Sequence, residues 1–179
     1  MKKVMFVAVA LLLMSPLGHA QGLGTPTVTN QVTVTVNSEA ALTIGASATN
    51  LTSLGTNFSD YTGTTPFTYF IRTTNSTGTG FIKLQVTTDF APAGGPSVGT
   101  PPSASDTLSY TCTVSNPGTA CSGSQISATA SQTSIATFGA NAHSAKVGNS
   151  ASVNWTLTND PLYTTGSYTA VVTYTISAS

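Results

Sequence analysis

The feature that most constrains the fold is a regular alternation of apolar residues with threonine and serine. In residues 28–36, single threonines separate Val32, Val34 and Val36. Successive side chains of a β-strand point to opposite faces, so this pattern gives a strand one apolar and one polar face. Threonine is β-branched and suits a solvated strand face, and residues 21–179 contain 34 threonines and 21 serines. The chain is therefore predicted to be built from strands that each bury one face.

The same alternation recurs along the chain, and no segment shows a convincing helical period. One-sided patterning is typical of antiparallel sheets with one face in the core. We expect an all-β fold, namely a two-sheet antiparallel β-sandwich of eight or nine strands with Greek-key connections; a short closed barrel is the alternative. The predicted strands are 28–36, 42–44, 66–74, 81–88, 107–114, 124–130, 134–138, 150–158 and 167–177.

The first twenty residues have the three-part pattern of a secretory signal peptide. Two lysines near the start precede an apolar run at 4–14, and small residues stand at Gly18 and Ala20. An apolar run of eleven residues is shorter than the ~20 that cross a membrane. We therefore expect that 1–20 is a removable signal peptide and that 21–179 is a single exported domain. Its location would be the periplasm, the cell surface or the extracellular space.

Charge is scarce, and the few charged residues form no chemical motif. Charged residues make up 6% of the chain, with five basic and five acidic. Without a basic surplus, no nucleic-acid partner is expected. His143 is the one histidine in 21–179, and the acidic residues are scattered. With no nucleophile motif and no glycine-rich phosphate loop, we expect no catalytic residues, no metal, no cofactor and no enzymatic activity.

The two cysteines of the chain are predicted to form a disulfide. Cys112 and Cys121 both lie in the domain expected to be exported, where an oxidising compartment favours disulfides. Asn116, Pro117 and Gly118 form a turn signal inside the loop that the pair would close. The eight intervening residues fit neither a CxxC redox motif nor a zinc knuckle.

One segment departs from the strand pattern. Residues 91–106 contain four prolines and three glycines, which predicts a long surface loop or a crossing between strands. Loops of this length are typically either functional or mobile. Neither flank has enough strands for a core of its own, so we do not place a domain boundary here.

Aromatic residues suggest a possible sugar-binding platform. The candidates are Phe58, Tyr61, Phe67, Trp155 and Tyr163. Because Trp155 has the strand parity of its apolar neighbours, it is expected in the core. Phe58 and Tyr61 flank a loop and are the better candidates for exposed stacking.

The C-terminal part of the chain resembles known secreted sandwiches. Residues 165–170 place Tyr168 in a Gly-x-Tyr sequence that enters a strand. This resembles the tyrosine corner of immunoglobulin-like sandwiches, which implies that the Tyr168 hydroxyl bonds to upstream backbone. Residues 166–176 are similar to the final strand of secreted bacterial sandwiches, including fimbrial subunits and spore-coat-U-like proteins. The resemblance implies an immunoglobulin-like variant of the sandwich.

The segment 30–44 resembles the start of alpha-class chaperone–usher fimbrial major subunits. Those subunits begin with an alternating Val/Thr strand, a short break and an apolar strand. The resemblance implies that Val32, Val34 and Val36 form a donor strand that completes a neighbouring subunit. It also implies a homopolymer, with a periplasmic chaperone and an usher as partners. The alternative is that residues 28–36 form the first strand of a self-contained sandwich.

These observations predict a secreted, non-enzymatic structural or adhesive surface protein, in its specific form a pilin-like subunit. The alternative is a monomeric extracellular module that binds carbohydrate, with a glycan as partner, or another surface. No integral membrane segment is expected once the signal peptide is removed.

Overall fold

A computed structural model describes residues 28–179, and all of their long regular elements are β-strands. The predicted signal peptide at 1–20 lies outside the described residues. Within 28–179, no helix is long and apolar enough to span a membrane. The strands are β1 (Glu39–Ile44), β2 (Tyr61–Arg72), β3 (Gly80–Ala91), β4 (Leu108–Val114), β5 (Thr119–Ala120), β6 (Gln125–Ile126), β7 (Thr133–Phe138), β8 (Asn149–Leu157) and β9 (Thr169–Ala178).

The nine strands form two antiparallel sheets, which confirms the predicted two-sheet β-sandwich. One sheet has the order β1-β2-β8-β4-β6 and the other has the order β5-β7-β3-β9. The Greek-key connectivity stays a prediction.

The core lies between the sheets and is built from alternate residues of the long strands. Tyr69, Leu84 and Val153 are each completely buried, as the period-two pattern predicts. Trp155 is 5% exposed, which confirms its expected place in the core. Its ring packs against that of Tyr110 with the centroids 5.4 Å apart.

Strand pairing defines two ends of the sandwich. Leu157, the last residue of β8, pairs with the first residues of both β2 and β4. At the opposite end, Arg72 of β2 pairs with Glu39, the first residue of β1. We refer to these as the Leu157 end and the Arg72 end. The connection from β2 to β3 lies at the Arg72 end, and the connection from β8 to β9 lies at the Leu157 end.

The predicted strand at 28–36 is absent from both sheets. No residue from 28 to 38 belongs to a strand, and the compact unit that contains the sandwich spans Thr35–Ser179. The prediction of a strand with a buried face was therefore wrong for this segment within a single chain, because no strand of the sheets pairs with it. The strand predicted at 124–130 was also too long, since β6 covers only Gln125–Ile126.

Candidate functional site

The two longest strands at the sheet edges, among residues 28–179, are β1 and β9. Among the described residues, β1 pairs only with β2, and β9 pairs only with β3. One side of each strand therefore carries backbone N–H and C=O groups with no ladder partner. Free edges of this kind are where another chain can add a strand.

Apolar side chains along these edges are only partly covered. They pack against the core, yet each remains half-buried, whereas the corresponding positions of β2, β3 and β8 are fully buried. We call this partly uncovered strip the β1–β9 groove. Its apolar residues are Ala40, Leu42 and Ile44 of β1 and Ala170, Val172, Tyr174 and Ile176 of β9.

The groove opens into a cavity of about 940 Å³ at the Leu157 end. Leu108, Trp155 and Leu157 contribute to its apolar lining, and Phe58 and Tyr61 line it as well. The cavity therefore reaches residues of the core at this end of the sandwich, although Leu108, Trp155 and Leu157 each remain buried.

Thr65 organises the polar contacts beneath the groove. The indole N–H of Trp155 donates a hydrogen bond to Thr65 Oγ1 at 2.9 Å. The hydroxyl of Thr65 also lies 2.6 Å from that of Thr49. Burial raises the pKa of the neighbouring Tyr174 hydroxyl, which therefore stays protonated. The groove floor is thus apolar with its buried indole N–H satisfied, which suits an uncharged occupant.

The opposite edge of the sandwich is short and cross-linked. It is formed by β5 and β6, which have two residues each. Cys112 of β4 is bonded to Cys121, which follows β5, so the disulfide links one sheet to the other. This confirms the predicted disulfide and leaves the β1–β9 groove as the long open edge.

Residues 91–106 are attached to the connection between β8 and β9. Tyr168 donates its hydroxyl proton to the carbonyl oxygen of Thr164 at 2.7 Å, the upstream backbone contact that a tyrosine corner would make. Thr164 N–H in turn donates to the carbonyl oxygen of Gly94 at 2.8 Å. A Cβ on Gly95 would lie 2.3 Å from the Tyr168 ring, so only glycine fits here. This contact makes the proline-rich segment one wall of the Leu157 end.

Asp89 holds the far part of the same segment. Its carboxylate accepts hydrogen bonds from Ser97 Oγ and from the backbone N–H groups of Phe90, Val98 and Gly99 at 2.6–2.9 Å. Partial burial acts to raise the pKa of Asp89, but the four hydrogen bonds outweigh burial and the net pKa is lowered. The ionised carboxylate is therefore the form that orders this part of the loop.

The aromatic candidates are divided by burial. Trp155 and Phe67 are buried, so the five-residue stacking platform cannot form. Tyr61 and Tyr163 are half-buried, and the buried Tyr163 hydroxyl has no hydrogen-bond partner among the described residues. Phe58 is 60% exposed and adopts a positive φ of 57°, a strained backbone for an aromatic residue.

The titratable residues form no cluster that suggests chemistry. Across residues 28–179, no group of three or more His, Cys, Asp and Glu side chains is placed to hold a metal. His143 is exposed in a bridge with Arg72, away from the acidic residues of the Leu157 end.

The candidate donor residues belong to no strand, and their side chains are exposed. Val32, Val34 and Val36 are 88%, 80% and 63% exposed. Sequence reasoning identified this row and the apolar face of β9. It missed that β1 and β9 are both edges, because periodicity reports which face of a strand is buried and not which strands are neighbours.

Comparison with known proteins adds no relative: no family model, no curated protein and no solved structure matches this chain.

Proposed function

We propose that this chain is a secreted, non-enzymatic structural subunit of the cell surface that assembles with copies of itself by strand addition. Residues 28–36 of one copy occupy the β1–β9 groove of the next. Each copy therefore donates one strand and accepts another, so the contact is heterologous and generates a fibre.

The observation that carries this proposal is a pair of unsatisfied surfaces in the same molecule. The groove has two free strand edges and half-buried apolar side chains, and the row of Val32, Val34 and Val36 is exposed. Monomeric soluble proteins seldom leave such rows uncovered. An added strand in the groove would cover both surfaces at once.

The length of the donor segment 28–36 agrees with the length of the groove. A strand rises ~3.3 Å per residue, so the nine residues of 28–36 extend about 30 Å, close to the length of the ten-residue β9. Val32, Val34 and Val36 repeat every second residue, as do Val172, Tyr174 and Ile176. Burying three valines contributes roughly 4–7 kcal/mol before entropy costs. Residues 28–36 also carry no charge, which matches the uncharged floor of the groove.

Assembly of purified protein tests the proposal with a single substitution. Val34→Asp places a charge on the face that enters the groove, and we expect it to abolish polymers seen by size-exclusion chromatography and electron microscopy. Thr35→Asp adds the same charge to the opposite face of the same strand and should leave assembly largely intact. The melting temperature of the monomer should be unchanged in both variants, because neither side chain belongs to the core.

The result that would contradict the proposal is equally specific. If wild-type protein is monomeric and Val34→Asp lowers its melting temperature, residues 28–36 belong to a self-contained sandwich.

A second function is favoured by one observation, the exposed Phe58 beside the cavity. A strained backbone that holds an aromatic ring in solvent is typical of a binding contact, and sugar rings stack on exposed aromatic side chains. In a monomeric protein, loss of glycan or surface binding in Phe58→Ala would support the binding-module function.

A further inference from the structure

The charged side chains are segregated between the two ends of the sandwich. All four aspartates of the described residues lie at the Leu157 end: Asp60 precedes β2, Asp89 lies near the end of β3, Asp106 precedes β4, and Asp160 follows β8. No lysine or arginine of residues 28–179 lies at that end. We call it the acidic pole.

The opposite end carries the cations. Arg72 and the exposed Lys146 lie at the Arg72 end, next to His143. Glu39 is the only acidic side chain described there, and it pairs with Arg72 at 3.0 Å. Among the described residues of this end, Lys146 is therefore the exposed lysine or arginine with no ion-pair partner. We call this end the basic pole.

Exposed apolar side chains accompany the charges. Leu54, Phe58 and Leu162 are 90%, 60% and 67% exposed in the loops of the acidic pole. Val147, beside Lys146 at the basic pole, is 84% exposed. Both poles thus carry the mixed apolar and charged surface that is typical of a protein contact.

A short linker forces two assembled copies close together. Only Asn37 and Ser38 separate the donor valine Val36 from β1 of its own domain, a span of at most about 11 Å. Arg72 restrains this linker, since its Nε–H donates to the carbonyl oxygen of Asn37 at 2.7 Å. The basic pole of the donor must therefore lie near the point where its strand leaves the acceptor.

We infer that successive copies meet acidic pole to basic pole, and that this contact selects the direction of the donated strand. The inference rests on the proposed strand addition. A donor strand antiparallel to β9 leaves the groove at the acidic pole, so the donor's Lys146 faces the acceptor's Asp60, the exposed aspartate of that pole. In the reverse direction, the strand would leave at the basic pole and bring two basic poles together. Complementary charges accelerate docking of an acidic pole on a basic pole, and like charges oppose docking of two basic poles.

Charge reversal at the poles, with a matched control, tests the inference on the full-length protein. Lys146→Glu and Asp60→Lys should each slow fibre assembly by about threefold or more at low ionic strength, measured by light scattering. The double variant, which reverses both poles, should recover most of the wild-type rate. Lys83→Glu makes the same charge change on β3, between the poles, and should not slow assembly. Added salt should reduce the differences, because the Debye length is ~3 Å at 1 M.

Two results would overturn the inference. One is assembly of either single variant at the wild-type rate at low salt. The other is slowing by Lys83→Glu equal to that by Lys146→Glu, which would show that only net charge matters. Failure of the strand-addition proposal looks different, since wild-type protein would then form no fibres at any salt concentration.

Discussion

At the scale of single residues, Thr65 shows how the groove can be open to solvent and still well ordered. The floor of the groove contains an indole N–H, which is costly to bury without an acceptor. Thr65 supplies that acceptor to Trp155 and is itself only 5% exposed. The period-two pattern places Thr65 on the buried face with Phe67 and Tyr69, but it does not show that the Thr65 hydroxyl accepts a hydrogen bond from a residue of another strand.

Replacing Thr65 measures that role. Thr65→Val keeps the shape of the side chain but removes the hydroxyl, so Trp155 loses its acceptor, and we expect about 1–3 kcal/mol of destabilisation in urea unfolding. Thr65→Ser keeps the hydroxyl and should lower the free energy of unfolding clearly less than Thr65→Val does. If the valine and serine variants have the same free energy of unfolding in urea, the hydrogen bond contributes little and packing alone holds the indole.

At the scale of elements, periodicity predicted most strands but could not assign their partners. The long strands β2, β3, β8 and β9 were expected from alternating apolar residues, and the structure contains all of them. The same alternation at 28–36 does not produce a strand in the sheets. Alternation predicts that a strand has one apolar face, but it does not predict which strand or which molecule packs against that face. β5 has two residues, too few for any period to be seen.

The proline-rich segment was recognised as a loop, but its attachment could not be predicted. Asp89 lies on β3 and binds residues 97–99, ten positions downstream at the farthest. Hydrogen bonds of this kind depend on where the loop folds back, which composition does not encode. Residues 97–99 of this proline- and glycine-rich segment are thus ordered by a single carboxylate.

The lowered pKa of Asp89 predicts how this loop responds to pH. The contribution of the ionised carboxylate is fully present above the unfolded pKa of about 3.9 and is lost as the pH falls through the lower folded pKa. Hydrogen exchange at Val98 and Gly99 should therefore show loss of protection in strong acid. Asp89→Asn should show the loss already at neutral pH, while Asp60→Asn, which does not touch the loop, should behave as wild type. Equal protection in Asp89→Asn and wild type at neutral pH would contradict this assignment.

At the scale of the whole molecule, the sandwich has one short, cross-linked edge and one long edge. Two-residue strands and the disulfide between Cys112 and Cys121 form the first, while β1 and β9, each paired on one side only within residues 28–179, form the second. The exposed valine row precedes β1 in the chain. The strand-addition proposal accounts for both features, because it pairs the valine row of one copy with the β1 and β9 edges of the next.

A variant that lacks residues 21–36 tests this description of the whole molecule. Because the described part of that segment lies outside the sheets, the remaining sandwich should fold on its own with an unoccupied β1–β9 groove. A synthetic peptide of residues 28–36 should then raise the melting temperature of this variant as the peptide concentration increases. At a peptide concentration one hundred times Kd, the free energy of unfolding should increase by about 2.7 kcal/mol. The same peptide carrying Val34→Asp should have little effect, since its charge would enter the apolar groove. If the variant is unfolded and the peptide does not restore it, residues 28–36 belong to their own sandwich and the strand-addition proposal fails.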